Sequence, residues 1–166
     1  MRIEDLLLRD QIVIKRKWLD LIIETYSPDS RNFFKNKKDQ FQNPVGAALS
    51  KQVEEIYSTL IEGTLDEPQP ALEEFIRMRA VQEFSPSDAI SFILSLKKAV
   101  REVLAAEIES NRLQEESREF ESRIDRLLLV AFDLYAESRE KIHQIRADEI
   151  KRRSYLAFRK MNSNSE

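Results

Sequence analysis

The side chains able to do chemistry are few. His143 is the single histidine of the 166-residue chain, and cysteine is absent. A haem ligand needs an apolar surround, yet Lys141, Gln144 and Arg146 flank His143. A metal site needs acidic or imidazole partners on the same helical face. One turn to either side stand Arg139, Glu140, Arg146 and Ala147, which supply a single carboxylate. His143 therefore reads as a solvated helix position. Without cysteine there is no disulfide, thiolate nucleophile or cysteine metal site. No glycine-rich phosphate loop, nucleophile elbow, paired-histidine zinc motif or calcium loop occurs, so no cofactor and no enzymatic activity are expected.

Two further groups have chemical potential. Arg77 and Arg79 sit in one helical stretch, Asp125 and Asp133 within or beside an apolar run of another. Carboxylates paired with arginine across helices are candidate structural ion pairs; a catalytic role for Arg79, Asp125 and Asp133 would require them to converge in a cleft. Trp18, Phe75, Phe92 and Tyr135 are candidates to line a small-ligand pocket between helices, with Trp18 read first as a core anchor. Lys151-Arg152-Arg153, followed by Tyr155 and Phe158, has the make-up of an acidic-partner or nucleic-acid contact. The adjacent Asp148 and Glu149 turn it into an exposed helix face.

The elements that must position these groups are helical. Charged residues make up 34% of the chain and apolar ones 42%, with two glycines and five prolines; that is too little turn material for an all-β or α/β fold. The net charge of −3 argues against nucleic acid as a partner. No run approaches the roughly 18 apolar residues of a membrane span. The N-terminal MRIEDLLLRDQIVIKRKW is too interrupted by charge for a secretory signal, which places the protein in the cytoplasm.

The first helix is expected over about 3–26, with Leu7, Ile14, Trp18, Ile22 and Tyr26 in one row and Leu8, Leu21 and Ile23 widening it. Ser27-Pro28-Asp29-Ser30 breaks it, and a short turn over 32–38 offers Phe33, Phe34 and Phe41 for packing. Asn43-Pro44 starts a second helix carrying Val45, Leu49, Val53, Ile56, Tyr57, Leu60 and Ile61, and Gly63 ends it in a left-handed conformation. The stretch 65–70, with two prolines, is an extended linker. A third helix over about 71–83 buries Leu72, Phe75, Ile76 and Val81. Ser85-Pro86-Ser87-Asp88 then caps the start of a fourth, central helix that ends between residues 107 and 111 and buries Ala89, Ile93, Leu96, Val100 and Leu104.

A long last helix is expected over about 117–160. Its first half packs through Phe120, Ile124, Leu127, Leu128, Ala131, Leu134 and Tyr135. Its second half thins to Ile142, Ile145 and Ile150 among charges before Tyr155, Leu156 and Phe158 return. These six form a candidate interface, because a helix so polar has little to bury within its own core. Residues 161–166 read as a frayed tail beyond a helical domain over 1–160. The fold class is all-α: one antiparallel bundle of five to six helices with a projecting C-terminal helix.

Four segments also resemble a known family: Trp18 to Ser27, Phe41-Gln42-Asn43-Pro44-Val45-Gly46, Arg77 to Lys97 (RMRAVQEFSPSDAISFILSLK), and Ile124 to Ile145 with its AFDLYAESREKI run. They are spread over about residues 10–155 and are similar to the N-terminal domain of RsbRD-type RsbT co-antagonists, found in stress-signalling regulators and related bacterial sensors. The resemblance implies a helical sensory input domain akin to the haem-free, globin-like modules of stressosome proteins, dimeric and coupled to an output domain. With six residues after Lys160, no sulfate-transporter/anti-sigma-antagonist output domain is expected here. Signalling then falls to a protein partner or homodimer, or to a small ligand or membrane complex bound through the helical surface.

Overall fold

In the computed structural model, residues 2–36, 44–66, 69–82 and 84–163 are described, and among them every regular element is a helix. There are seven: α1 (Ile3–Arg9), α2 (Gln11–Ile23), α3 (Pro28–Asn36), α4 (Pro44–Glu62), α5 (Pro70–Val81), α6 (Pro86–Ser110) and α7 (Gln114–Ser163).

The all-α expectation holds. The helix count rises because the first helix divides. Asp10 leaves helical geometry at φ −100°, ψ 12°, and its N–H closes α1 on the Leu6 carbonyl at 3.0 Å. Both sides of the break keep buried residues: Ile3, Leu6 and Leu7 before it, Ile14, Trp18, Ile22 and Ile23 after it. Leu8 does not widen the apolar row; it stands 49% exposed. The stretch read as a turn after Ser27 is α3, which uses Pro28 as its first residue; proline's missing N–H costs nothing there. Phe34 packs edge-on to Tyr26, ring centroids 5.2 Å apart. Phe41 and the Asn43 cap lie outside the described residues.

Proline also opens α4, α5 and α6. Gly63 ends α4 at φ +75°, and Ser85 caps α6 by accepting the Asp88 N–H at 3.2 Å. Asp88 takes the Ser85 hydroxyl on its own carboxylate at 2.7 Å. The α6–α7 corner is a Schellman turn. Leu113 N–H reaches the Ile108 carbonyl at 2.9 Å, Arg112 N–H reaches Glu109 at 3.2 Å, and Arg112 itself holds φ 56°.

α6 lies between α2 and α7 and buries Ala89, Phe92, Ile93, Leu96, Ala99, Val100 and Leu104, as its wide apolar face requires. The buried residues of α1, α2, α4, α5, α6 and the first half of α7 join in one cluster. Charged pairs bridge the helices at its rim, among them Lys97–Asp125 and Arg101–Glu121, both at 2.6 Å between α6 and α7. α7 runs 50 residues, about 75 Å at 1.5 Å per residue. Its buried residues end at Tyr135 and its half-buried apolar contact ends at Ile142. The helix itself continues through Ser163, past the point where a frayed tail was expected.

Candidate protein interface

Arg79 is where sequence and structure differ most. It occupies the buried stripe of α5, one turn after Phe75 and Ile76, and is fully buried. Among the described residues no carboxylate pairs with it. Its guanidinium lies 4.5–5.5 Å from the ring centroids of Phe84, Phe75, Tyr26 and Phe92. It donates to the Asp88 carbonyl and to the Thr25 hydroxyl oxygen, each at 2.9 Å. Burial pushes its pKa down, the loss of hydration outweighing the attraction of Tyr26 and Asp88. Nε of Arg79 and the hydroxyl of Tyr26 have no hydrogen-bond partner among the described residues.

The inter-helix ion pairs expected of Arg77 and Arg79 with Asp125 and Asp133 are therefore absent. Arg77 pairs along its own exposed helix face with Glu73. Asp125 pairs with Lys97, and Asp133 is exposed on α7. The reason is angular: Asp125 and Asp133 are on the outer side of α7, while Leu127, Ala131 and Tyr135 face the core. Nor do the two carboxylates and Arg79 converge in a cleft.

Three of the aromatic candidates for a ligand pocket, Trp18, Phe75 and Phe92, are brought together, but as packing. Trp18 stacks on Phe92 with centroids 6.2 Å apart, and Phe92 meets Phe75 at 4.3 Å. Trp18 Nε1–H donates to the Phe92 carbonyl at 2.7 Å, and the Tyr135 hydroxyl donates to the Phe84 carbonyl at 2.6 Å. All four side chains are buried. Tyr135 and Arg139, whose guanidinium donates to the Ala80 carbonyl at 3.0 Å, tie α7 to the α5–α6 corner.

Open space lies instead on the surface between α5 and α7. A groove of about 390 Å³ has Val81, Leu134, Ile142 and Ile145 as its apolar lining and Glu73, Arg77, Glu137 and Lys141 among its polar walls. Val81, expected in the core, is 64% exposed there.

The six candidate interface residues follow α7 outward from this groove. Ile142 is half-buried; Ile145, Ile150, Tyr155, Leu156 and Phe158 are 54–69% exposed. At about 100° of turn per residue they do not share one face. Ile142, Ile145 and Leu156 fall on the groove side, Ile150 and Phe158 on the outer side, and Tyr155 beyond Phe158.

Leu129 and Phe132, 67% and 50% exposed, and Met161, 67% exposed, belong to the same outer side and were not singled out from sequence. The signal was available. RLLLVAFDLYA, residues 126–136, is apolar well beyond the stripe that one core can cover.

Among the described residues no helix is long and apolar enough to cross a membrane, and no group of three or more His, Cys, Asp or Glu side chains is placed to hold a metal ion. A family model described as the RsbT co-antagonist protein RsbRD N-terminal domain matches residues 13–150. No curated protein and no solved structure matches the chain.

Proposed function

From the premise that this chain belongs to the RsbRD N-terminal domain family of stress-signalling regulators, we propose that it is a non-enzymatic regulatory domain acting through protein–protein contact made by the distal half of α7. One observation carries this reading. A helix that leaves its own core at Ile142 still presents Ile145, Ile150, Tyr155, Leu156, Phe158 and Met161 to solvent. Exposed apolar groups gathered on one element mark interaction surfaces. The ties from Tyr135 and Arg139 to the α5–α6 corner support a route by which events in the body would reach that surface. A soluble cytoplasmic protein fits this mode of action.

Comparison of the full chain with a truncation after Ala147 tests the reading, because the buried residues all precede that point. Sedimentation equilibrium of the purified proteins and capture from native bacterial lysate are read together. The expected result is at least one association, with itself or another chain, that the full protein makes and the folded truncation loses. Identical behaviour of the two proteins in both assays overturns the proposal.

A further inference from the structure

Charge and apolarity are segregated around distal α7. Residues 141–160 hold seven basic and two acidic side chains, a net +5. From 143 to 162 every residue is exposed except Glu149, which pairs with Arg153.

At about 100° of turn per residue, Ala147, Ile150, Ala157, Phe158 and Met161 fall within one outer sector about 100° wide, with His143 and Ser154 among them. From His143 to Met161 the sector is about 27 Å long. Ile150, Phe158 and Met161 are 66–69% exposed. Lys151 borders the sector on one edge, and Arg146 and Arg153 border it on the other. Asp148 and Glu149, which in the sequence offset the basic run, turn about 130° away from the middle of the sector. The outer half of the helix from 143 to 161 thus carries three basic side chains and no acidic one.

An apolar centre with cationic edges is the cross-section of a helix lying in a lipid–water interface. The apolar groups enter between headgroups, while lysine and arginine at the edges lay their stems along the apolar boundary and reach phosphate with their charges. A groove in a protein selects large anchors at successive turns. Here Ile150 and Phe158 stand two turns apart with Ser154 and Ala157 between them, a shallow face that fits a flat occupant.

Going beyond the protein contact, which the groove side with Ile145 and Leu156 serves, we propose that the outer side of distal α7 binds the surface of a membrane rich in anionic phospholipid. The helix lies along that surface and does not cross it. Arg153 exchanges Glu149 for a phosphate, since exposed ion pairs one turn apart are weak. Each basic side chain near an anionic surface strengthens binding about fivefold, and three together about a hundredfold. The few large apolar groups of the sector set depth and orientation, and the charge of the lipid decides whether the helix binds.

The full-length protein is mixed with vesicles of phosphatidylcholine alone, or of phosphatidylcholine and phosphatidylglycerol in equal parts, and binding is read by flotation. Cysteine is absent from the chain, so a polarity-sensitive dye on Ile150→Cys or, separately, on Ile145→Cys reports which side meets lipid. The expected result is binding roughly a hundredfold tighter to the anionic vesicles, with a blue shift of the dye at 150 and none at 145. Lys151→Gln combined with Arg153→Gln weakens binding about 25-fold. Phe158→Asp weakens it at least about tenfold by removing the largest apolar group of the sector, and Trp18 fluorescence checks that each variant keeps its folded core. Equal binding to both vesicles, flotation with neither, a shift at 145 in place of 150, or binding indifferent to these substitutions overturns the proposal. An acidic protein as the true occupant gives flotation with neither. Protein association is measured without vesicles, so the lipid contact and the protein contact can each fail alone.

Discussion

Replacing Arg79 by alanine tests the core of the molecule most severely. The side chain is fully buried, lies over four aromatic rings and makes two hydrogen bonds. Hydrogen bonds from a charged donor contribute about 1.5–3 kcal/mol each, and a desolvated cation over aromatic faces adds about 2 kcal/mol. Against this stand several kcal/mol for removing the guanidinium from water. The substitution relieves that cost but leaves a hole where the aliphatic stem packed; large-to-small changes in a core cost about 2–5 kcal/mol.

The balance predicts a loss of about 3–4 kcal/mol for Arg79→Ala. With a urea slope of about 2 kcal/mol per molar, the unfolding midpoint falls by about 1.5–2 M. The lone, fully buried Trp18 reports the transition by fluorescence, at one fixed protein concentration so that association does not contribute. Arg79→Lys keeps the charge but not the planar fork, and regains at most about half of the loss. A midpoint shift below about 0.5 M for Arg79→Ala, or full recovery by lysine, would refute the view that a stacked guanidinium organises the α5–α6 corner.

Other outcomes follow from the same geometry. Tyr135→Phe removes the hydroxyl that donates to the Phe84 carbonyl and should cost about 1 kcal/mol in urea unfolding. Gly63→Ala should cost about 1 kcal/mol, because a Cβ there meets nothing within 4 Å and only the φ of +75° opposes it. Arg112→Gly, at φ 56°, should raise the unfolding midpoint by the equivalent of about 0.5–1 kcal/mol, since glycine takes that conformation freely. Stability should also depend on acid. The Arg9 hydrogen bond holds the Asp10 carboxyl below its usual range, and a backbone hydrogen bond does the same for Glu4. Depressed carboxyls contribute stability that is complete above their unfolded-state values and lost as pH falls through the folded ones. The urea midpoint should therefore be level near neutrality and decline once pH drops below about 4.5.

Much of the fold is legible without coordinates because helix periodicity and capping are local. The row Leu49, Val53, Ile56, Tyr57 and Leu60, the Ser85-Pro86 start and the Gly63 stop each depend on residues within a few turns, and each is found in place. The break at Asp10 was not legible. An apolar period continues through it, and what separates α1 from α2 is how each packs against the rest. α1 is held at its start by the Glu116 carboxylate, which accepts the Ile3 N–H at 2.8 Å.

The candidate surface was half legible. Ile142, Ile145 and Ile150 stood out among charges, but Leu129 and Phe132 are hidden in a run that one core looks able to absorb. Only the placement of α5 and α6 on one side of α7 leaves the other side bare.

Taken alone, the order of residues determined a helical chain, poor in reactive groups, whose last helix outlasts its core. Those properties follow from pattern and composition, which operate over a few turns. Tertiary packing alone decided that Arg79 is enclosed by rings, with no carboxylate paired to it among the described residues, that Trp18 and Phe75 both pack on Phe92, and that an apolar face of α7 is left in water. Each depends on which side chains from distant helices arrive at the same place, and no local period carries that information.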